Sequence, residues 1–513
     1  MYVRRKHNRS GSISVTVVDK SSGRYAEIHQ LGVAKNEEEA AALEAEGRHW
    51  ISTYGGQLEI DFEDGLVSEC RTTEDVLSNI RTARLTASRT IIGKVYDRIG
   101  FNRIEDEELR HLVVGRICRP MSKKATVDYL RRHFKEDVSL QKIYRYMDKL
   151  NNTQKELVQE ISVRHTQSLF GGSIGILFYD VTTLYFETTD KDDLRSNGFS
   201  KDGKNANPQV VLGLLVSRSG YPLSYSLFNG AQFEGYTMIP IVDDFVQRYG
   251  LGSDFVVIAD AGLMSNKNIQ LLRSAGYKYI IGARIKKETG TMRDRILSTP
   301  HKQGAFNDIR CDNGDRLIVG YSEERAKKNG HDRNEGIERL RKRYSKGTLT
   351  KADINKRGYN KFLTISSGVT VSIDETKIAE DSLWDGLKGY RTNTDLPADQ
   401  VYDCYQQLWN VEQAFRITKG TLEVRPMFHF TEKRIEAHVC ICFVALKVYK
   451  ELERLLKKSG CPYSVDGVLR IAEAIVTLEI ALPKNGTTIT RSIYTSKEEQ
   501  DIAYLIETDG WLG

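Results

Sequence analysis

Apolar and polar residues alternate on both sides of a Ser-Ser-Gly turn in SISVTVVDKSSGRYAEIHQLG, near the start of the chain, and this predicts a β hairpin. From Asn36 to Thr53 the spacing turns helical and rich in Glu and Ala, and helical periodicity dominates again from about Asp106 to Leu169. Within that stretch SKKATVDYLRRHF and SLQKIYRYMDKL predict two short amphipathic helices, the second capped by Ser139. They carry Arg131, Arg132, Lys142, Arg145 and Lys149, so the pair reads either as a DNA-binding helix-turn-helix or as part of a helical bundle with a solvated basic face.

The pattern changes after Gly171 and Gly172. GILFYDVTTLYF, PQVVLGLLVSRSG and YPLSYSLFNG predict three successive strands, followed by a helix over Tyr236 to Tyr249, a strand at FVVIAD, a helix at NKNIQLLRSAG and a strand at YKYIIGA. The order β-β-β-α-β-α-β is that of a ribonuclease H-like core. Before the next helix come strand-like FNDIRCDNGDRLIVGY, FLTISSGVTVSI and LKGYRTNT, which predict a β-rich insertion. Within it, RAKKNGHDRNEGIERLRKRYSKGTLTKADINKRGYNK is densely basic, either a solvated helical hairpin or a surface for a DNA backbone. A helix over YQQLWNVEQAFRITK is expected to run to about Gly420, and a second, buried one from Glu432 to about Leu456. The tail predicts one helical stretch at VDGVLRIAEAIVTLEI, a polar hairpin around Asn485-Gly486 and a final helix.

These elements predict an α/β protein with a ribonuclease H-like catalytic core, a β-rich insertion, and a mostly helical N-terminal domain that opens with a β hairpin. The expected divisions are a hairpin and helix over 1–60, a helical candidate DNA-binding domain over 61–170, the core over 171–286 and 398–457, the insertion over 287–397, and a tail over 458–513. At 513 residues the chain is too long for one ordinary core, which agrees with several domains. With 28% charged and 40% hydrophobic residues it is globular rather than disordered, and a net charge of +6 is compatible with nucleic acid without requiring it. The seven cysteines are scattered and form no CxxC pair, which argues against a zinc ribbon or disulfide scaffold and for a reduced, cytoplasmic protein. No apolar run reaches the length of about 18 residues that a membrane helix needs.

Candidate chemistry lies at three acids. Asp180 and Asp260 each follow apolar strand residues; either alone reads as a strand-end residue turning into a loop, but their joint placement favours a site. Tyr405, Glu412 and Lys419 recur at steps of seven, which drift only about 20° per step around a helix and so share one face. Among Leu408, Trp409, Val411 and Phe415, Glu412 reads as a carboxylate in an apolar neighbourhood, or else as a helix-rim residue paired with Arg416. Two strand aspartates with a helix glutamate are what two-metal phosphoryl transfer requires. Glu187, Asp190, Asp192, Asp193 and Asp254 read as loop or surface acids, and His438, Cys440 and Cys442 as helix core.

At these residues the chain resembles the DDE transposases of bacterial insertion sequences, specifically the IS-four-like superfamily with its signature Y-x2-R-x3-E-x6-K. Here the four places read Tyr405, Leu408, Glu412 and Lys419, so leucine replaces the arginine, and the resemblance makes Arg416, one turn beyond Glu412, the candidate for the missing phosphate contact. YDVTTLYFE, IADAGLMS, MYVRRKHNRSGSISV and LVVGRICRPMSKKAT extend the likeness over nearly the whole chain. The resemblance implies an enzyme that cuts double-stranded DNA at terminal inverted repeats and joins the 3′ ends to target DNA, acting as a homodimer on paired ends and without a membrane. It implies two Mg2+, with Mn2+ as a substitute, held by Asp180, Asp260 and Glu412. Tyr405, Arg416 and Lys419, with Arg131, Arg132 and Arg145 further off, would bind DNA. A hydrolytic nuclease on the same fold and an inactive domesticated DNA-binding protein are the alternatives. A glycosidase is the weaker third, since it calls for neither the basic insertion nor Lys419.

Overall fold

The computed structural model describes residues 1–21, 23–54, 76–200, 203–250, 255–263, 265–350, 353–355, 358–366, 370–481 and 487–508. The chain divides into two compact units, 1–82 with 479–490 and 83–478 with 491–513.

In the first unit, strands β1 (Tyr2–His7), β2 (Ile13–Asp19) and β3 (Ala26–Ala34) form an antiparallel sheet in that order. The predicted hairpin is β2 and β3. The basic opening segment is a strand that the sequence reading did not anticipate: Arg4, Arg5 and Lys6 lie exposed on an edge, where charge discourages further pairing. Helix α1 (Glu37–Thr53) covers the sheet, its N-terminus capped by the Asn36 side chain accepting from the Glu39 N–H at 2.8 Å. Ile13, Val15, Ala34 and Ala40 make its core. Strand β4 (Ile80–Arg84) begins where this unit's first segment ends.

The second unit opens with helices α2 (Ala87–Ile99), α3 (Glu107–Cys118), α4 (Lys123–Tyr129), α5 (Leu140–Lys149) and α6 (Lys155–Leu169). Strands β5 (Ile176–Tyr185), β6 (Gln209–Ser217) and β7 (Pro222–Asn229) follow, then α7 (Met238–Tyr249), β8 (Val256–Ala259), α8 (Asn266–Ser274), β9 (Lys278–Ala283) and α9 (Gly290–Ser298). Next come β10 (Phe306–Arg310), β11 (Arg316–Tyr321), α10 (Glu323–Ser345), the hairpin β12 (Leu363–Ser366) and β13 (Thr370–Ile373), α11 (Glu375–Ser382) and β14 (Leu387–Thr392). Eight strands form one mixed sheet in the order β10-β11-β14-β9-β8-β5-β6-β7. Its centre, β9-β8-β5-β6-β7, pairs β5 parallel to β8 and β8 parallel to β9, whereas β5-β6 and β6-β7 are antiparallel. Between 287 and 397, β10, β11 and β14 widen this sheet, while β12 and β13 pair apart from it.

Alternate residues of the central strands feed two cores. Leu177, Tyr179, Val181, Val257 and Ala259 pack on α7 and α8 through Met238, Ile241, Phe245, Ile269 and Leu272. Phe178, Leu184, Leu212, Leu214, Ile258 and Ile280 face the other way, into a larger core. That core includes the N-terminal helices and α12 (Ala398–Gln406), α13 (Trp409–Arg416) and α14 (Glu432–Lys458). The period of two along a strand thus decides which residues can reach the helical side. Helix α14 is buried on all sides from Ala437 to Leu452 and carries only apolar side chains from Val439 to Leu446, where its sequence predicts a buried segment.

Three expectations are corrected. The dense basic run begins as one 23-residue helix, α10, and its other described residues hold turns and a short 3-10 turn at Gly358–Phe362, so among the described residues no second α-helix completes a helical hairpin. Gly330 and Gly336 do not break α10, and Gly336 admits the Tyr359 ring, which a Cβ there would meet at 2.3 Å. The helix expected from Tyr405 to Gly420 is interrupted: α12 stops at Gln406, α13 starts at Trp409, and a π-helical turn spans Ile417–Thr421. Leu408 and Val411 bury their side chains at the junction, so tertiary packing overrides an otherwise continuous helical pattern. In the tail, α15 (Val465–Ala472) is shorter than predicted, and the β-branched Val476-Thr477 begins strand β15 (Val476–Ala481). Strand β16 (Thr488–Ile493) and helix α16 (Lys497–Thr508) follow; the turn at Asn485-Gly486 lies outside the described residues.

Candidate active site

Two of the three acids are aligned by the main-chain ladder. In the parallel pairing of β5 with β8, Phe178 lies opposite Ile258 and Tyr179 opposite Ala259, so Asp180 and Asp260 are the next residues along on adjacent strands. Neighbouring strands lie about 4.8 Å apart. By parity both aspartates belong to the face of Phe178 and Ile258, the helical side. Asp180 sits within β5, half-buried, its Oδ1 accepting from the Val181 N–H at 2.8 Å; Asp260 stands one residue beyond β8 and is exposed.

The third acid comes from the helices. Helix α13 packs on β5 and β6 through Val411, Ala414 and Phe415, leaving Glu412 and Arg416 exposed on its outer face. Glu412 therefore does not sit in the apolar surroundings its sequence neighbours suggest, and among the described residues it makes no ion pair with Arg416. Tyr405 ends α12 and is buried, and its hydroxyl donates to Asp260 Oδ1 at 2.9 Å. Gly282 on β9 makes room for this bond, because a Cβ there would stand 2.5 Å from the Tyr405 oxygen. Burial, the charge of Asp260 and the hydrogen bond to it, the neighbouring Tyr390 and the charge of Glu412 all hold the Tyr405 phenol well above its ordinary pKa, so it remains a donor.

A site residue that sequence reasoning missed is Lys388 on β14. Its ammonium lies 4.5 Å from the Tyr405 ring centroid and 5.6 Å from that of Tyr390. Burial and the nearby Arg325 charge lower its pKa, whereas the charges of Asp260 and Glu412 act in the opposite direction. Both acids thus act on Tyr405 and on Lys388, from a strand end and from a helix. Only the sheet pairing places β14 beside β9 and hence near β8; LKGYRTNT carries no motif that marks its lysine.

The other predicted residues fall as follows. Lys419 lies half-buried in the π-helical turn after α13. Leu408, where the expected signature would place an arginine, is 6% exposed and part of the core. Arg131 and Arg132 are exposed in a π-helical turn after α4, and Arg145 is exposed on α5. Arg131 pairs with Asp128 at 3.6 Å, Lys142 with Glu108 at 2.5 Å and Lys149 with Asp106 at 2.8 Å. His438, Cys440 and Cys442 are buried, with His438 Nδ1 3.2 Å from the Lys123 ammonium.

The donor chemistry of three carboxylates suits a hard divalent cation. Among the described residues no three His, Cys, Asp or Glu side chains are gathered as a metal-binding group. One Asp260 oxygen is taken by Tyr405. Also among the described residues, no helix is long and apolar enough to cross a membrane.

A mixed sheet with two register-matched aspartates, faced by a helix that carries a glutamate, defines an acid-bearing α/β domain. Over residues 171–447, more than half its length, the chain matches the family model of the transposase DDE domain, and it belongs to that family. No curated protein sequence matches it. Among solved structures it is similar to the piggyBac transposase synaptic complex with hairpin DNA, at 11% identity and a TM-score of 0.39 over 72% of this chain and 70% of that one. It is also similar to the Mos1 transposase paired-end complex with left transposon end, at 11% identity and a TM-score of 0.16 over 46% of this chain and 71% of that one.

Proposed function

We propose that this transposase-family chain acts for an insertion sequence of the IS-four-like group, cutting DNA at terminal inverted repeats and joining the freed 3′ ends to target DNA. The observation that carries this reading is the alignment of Asp180 with Asp260 on parallel strands, with Tyr405 of the Glu412 region hydrogen-bonded to Asp260. The strand order β9-β8-β5-β6-β7, with its two parallel and two antiparallel pairings, supports a ribonuclease H-like core.

In this reading Asp180, Asp260 and Glu412 would hold two Mg2+ or Mn2+, which when bound activate the attacking oxygen and stabilise the leaving one. Tyr405 fixes the Asp260 carboxylate. Arg416, one turn beyond Glu412 on the same exposed face, takes the phosphate contact that buried Leu408 cannot make, and Lys419 steadies the backbone on the following turn. Arg131, Arg132 and Arg145 bind DNA away from the cut. Two copies of the chain hold the paired ends, and the reaction takes place in the cytoplasm.

The test is incubation of purified protein with DNA carrying the genomic flanks of its gene, with Mg2+ or Mn2+. The expected result is cutting at the repeats and joined products with wild type, and intact DNA that is still bound with Glu412→Gln. Cutting without joined products would favour a hydrolytic nuclease.

A further inference from the structure

The Lys388 ammonium is half-buried, and among the described residues it forms no ion pair and stands against the rings of Tyr405 and Tyr390. A partly desolvated cation of this kind is poorly compensated by aromatic faces alone. Asp260, whose charge acts on Lys388, already accepts from Tyr405. Lys388 also lines a cavity of about 830 Å³, together with Arg325, Lys328, Tyr321, Tyr390 and Tyr402. Glu323 and Glu324 lie on the same lining, so three cations there face two acids. The cavity therefore adjoins the candidate active site through Lys388, with Arg325 close enough for its charge to act on that lysine.

We propose that Lys388 binds a DNA phosphate beside the scissile one, on the β14 side of the site, and that Arg325 binds the next phosphate along the cavity. This deepens the proposed function and rests on it. The arrangement follows from the charges. The rings of Tyr405 and Tyr390 leave the ammonium without an ion-pair partner among the described residues, and a phosphate oxygen supplies one. A side chain held between two tyrosine rings is also already oriented, so little freedom is lost on binding.

Two readouts test it, one of which needs no catalysis. In EDTA, the affinity of full-length protein for end DNA is measured against salt concentration. A single phosphate contact contributes about 0.9 to the slope of log K against log salt. Lys388→Met is expected to reduce the slope by about that amount, Lys388→Arg to keep it, and Arg325→Ala to reduce it similarly. Single-turnover cleavage in Mg2+ is expected to fall about tenfold or more in Lys388→Met and to recover in part in Lys388→Arg. An unchanged slope in Lys388→Met overturns the proposal; if cleavage falls nonetheless, Lys388 acts by positioning Tyr405. Failure of the proposed function would look different: wild type would not cut, or Glu412→Gln would cut normally, while the binding slopes would still report on Lys388. Should Lys388→Met fold poorly, Lys388→Gln serves in the same assay, with the same result required.

Discussion

The two walls of the candidate site are built by different means. The strand wall sets Asp180 beside Asp260 through a parallel ladder, where a slip of one strand by one residue would turn its aspartate to the opposite core. The helical wall sets Glu412 by way of two short helices, a junction packed on Leu408 and Val411, and a π-helical turn. Position on the strands is thus a property of backbone pairing. Position on the helices depends on side chains in the core, and on the Tyr405 bond to Asp260 that ties the walls together.

The largest expected effect strikes the strand wall's chemistry and leaves its fold intact. Asp260→Asn should lower single-turnover cleavage by about 10²–10³-fold or more, with little change in melting temperature. The helical wall should break structurally instead. Leu408→Arg, which introduces the arginine of the expected signature, places a charge in the core and should cost on the order of 3 kcal/mol of stability in chemical denaturation. If that variant is as stable as wild type and cuts faster, the junction is more open than its burial indicates. Between these lies Tyr405→Phe. Losing one hydrogen bond to a carboxylate, worth about 1.5–3 kcal/mol, should slow cleavage roughly 10- to 100-fold while melting changes little.

Acid should loosen the helical wall first. Burial, with the charges of Lys123 and Arg116, lowers the His429 pKa from its ordinary 6.5 to about 3, and the same causes push His438 well down. His438 Nε2 lies 3.3 Å from the Val424 carbonyl, in the segment that follows α13. Both rings are neutral in the fold. Their contribution to stability is therefore complete above about pH 6.5 and is lost as the pH falls toward 3. Hydrogen exchange in 417–427 should accelerate through that window before exchange in 176–185 does. The smallest effect is expected at Arg416→Ala, an exposed helix residue whose stability change should stay within about 0.5 kcal/mol, although DNA binding weakens.

How far the sequence could be read follows the same division. The alternation in β5 to β9 and the acid after each apolar run were legible because a strand's period is local. The seven-residue stripe was legible as a motif but not as geometry, since the break after Gln406 is imposed by packing that no periodicity records. Glu412 looked buried among Leu408, Val411 and Phe415, yet its helix turns those three inward and the carboxylate outward. Lys388 was invisible for a further reason. It reaches the site only because β14 pairs with β9, more than a hundred residues earlier in the chain, and such long-range pairing leaves no local signal.

The central claim is that strand aspartates and a helix glutamate form one site. Single-turnover cleavage of end DNA in Mg2+ by Asp180→Asn, Glu412→Gln and the double variant tests it most directly. The account predicts that each single substitution abolishes cutting with DNA binding retained, and that the double variant is no worse than either. Cleavage by Glu412→Gln at the wild-type rate would contradict it.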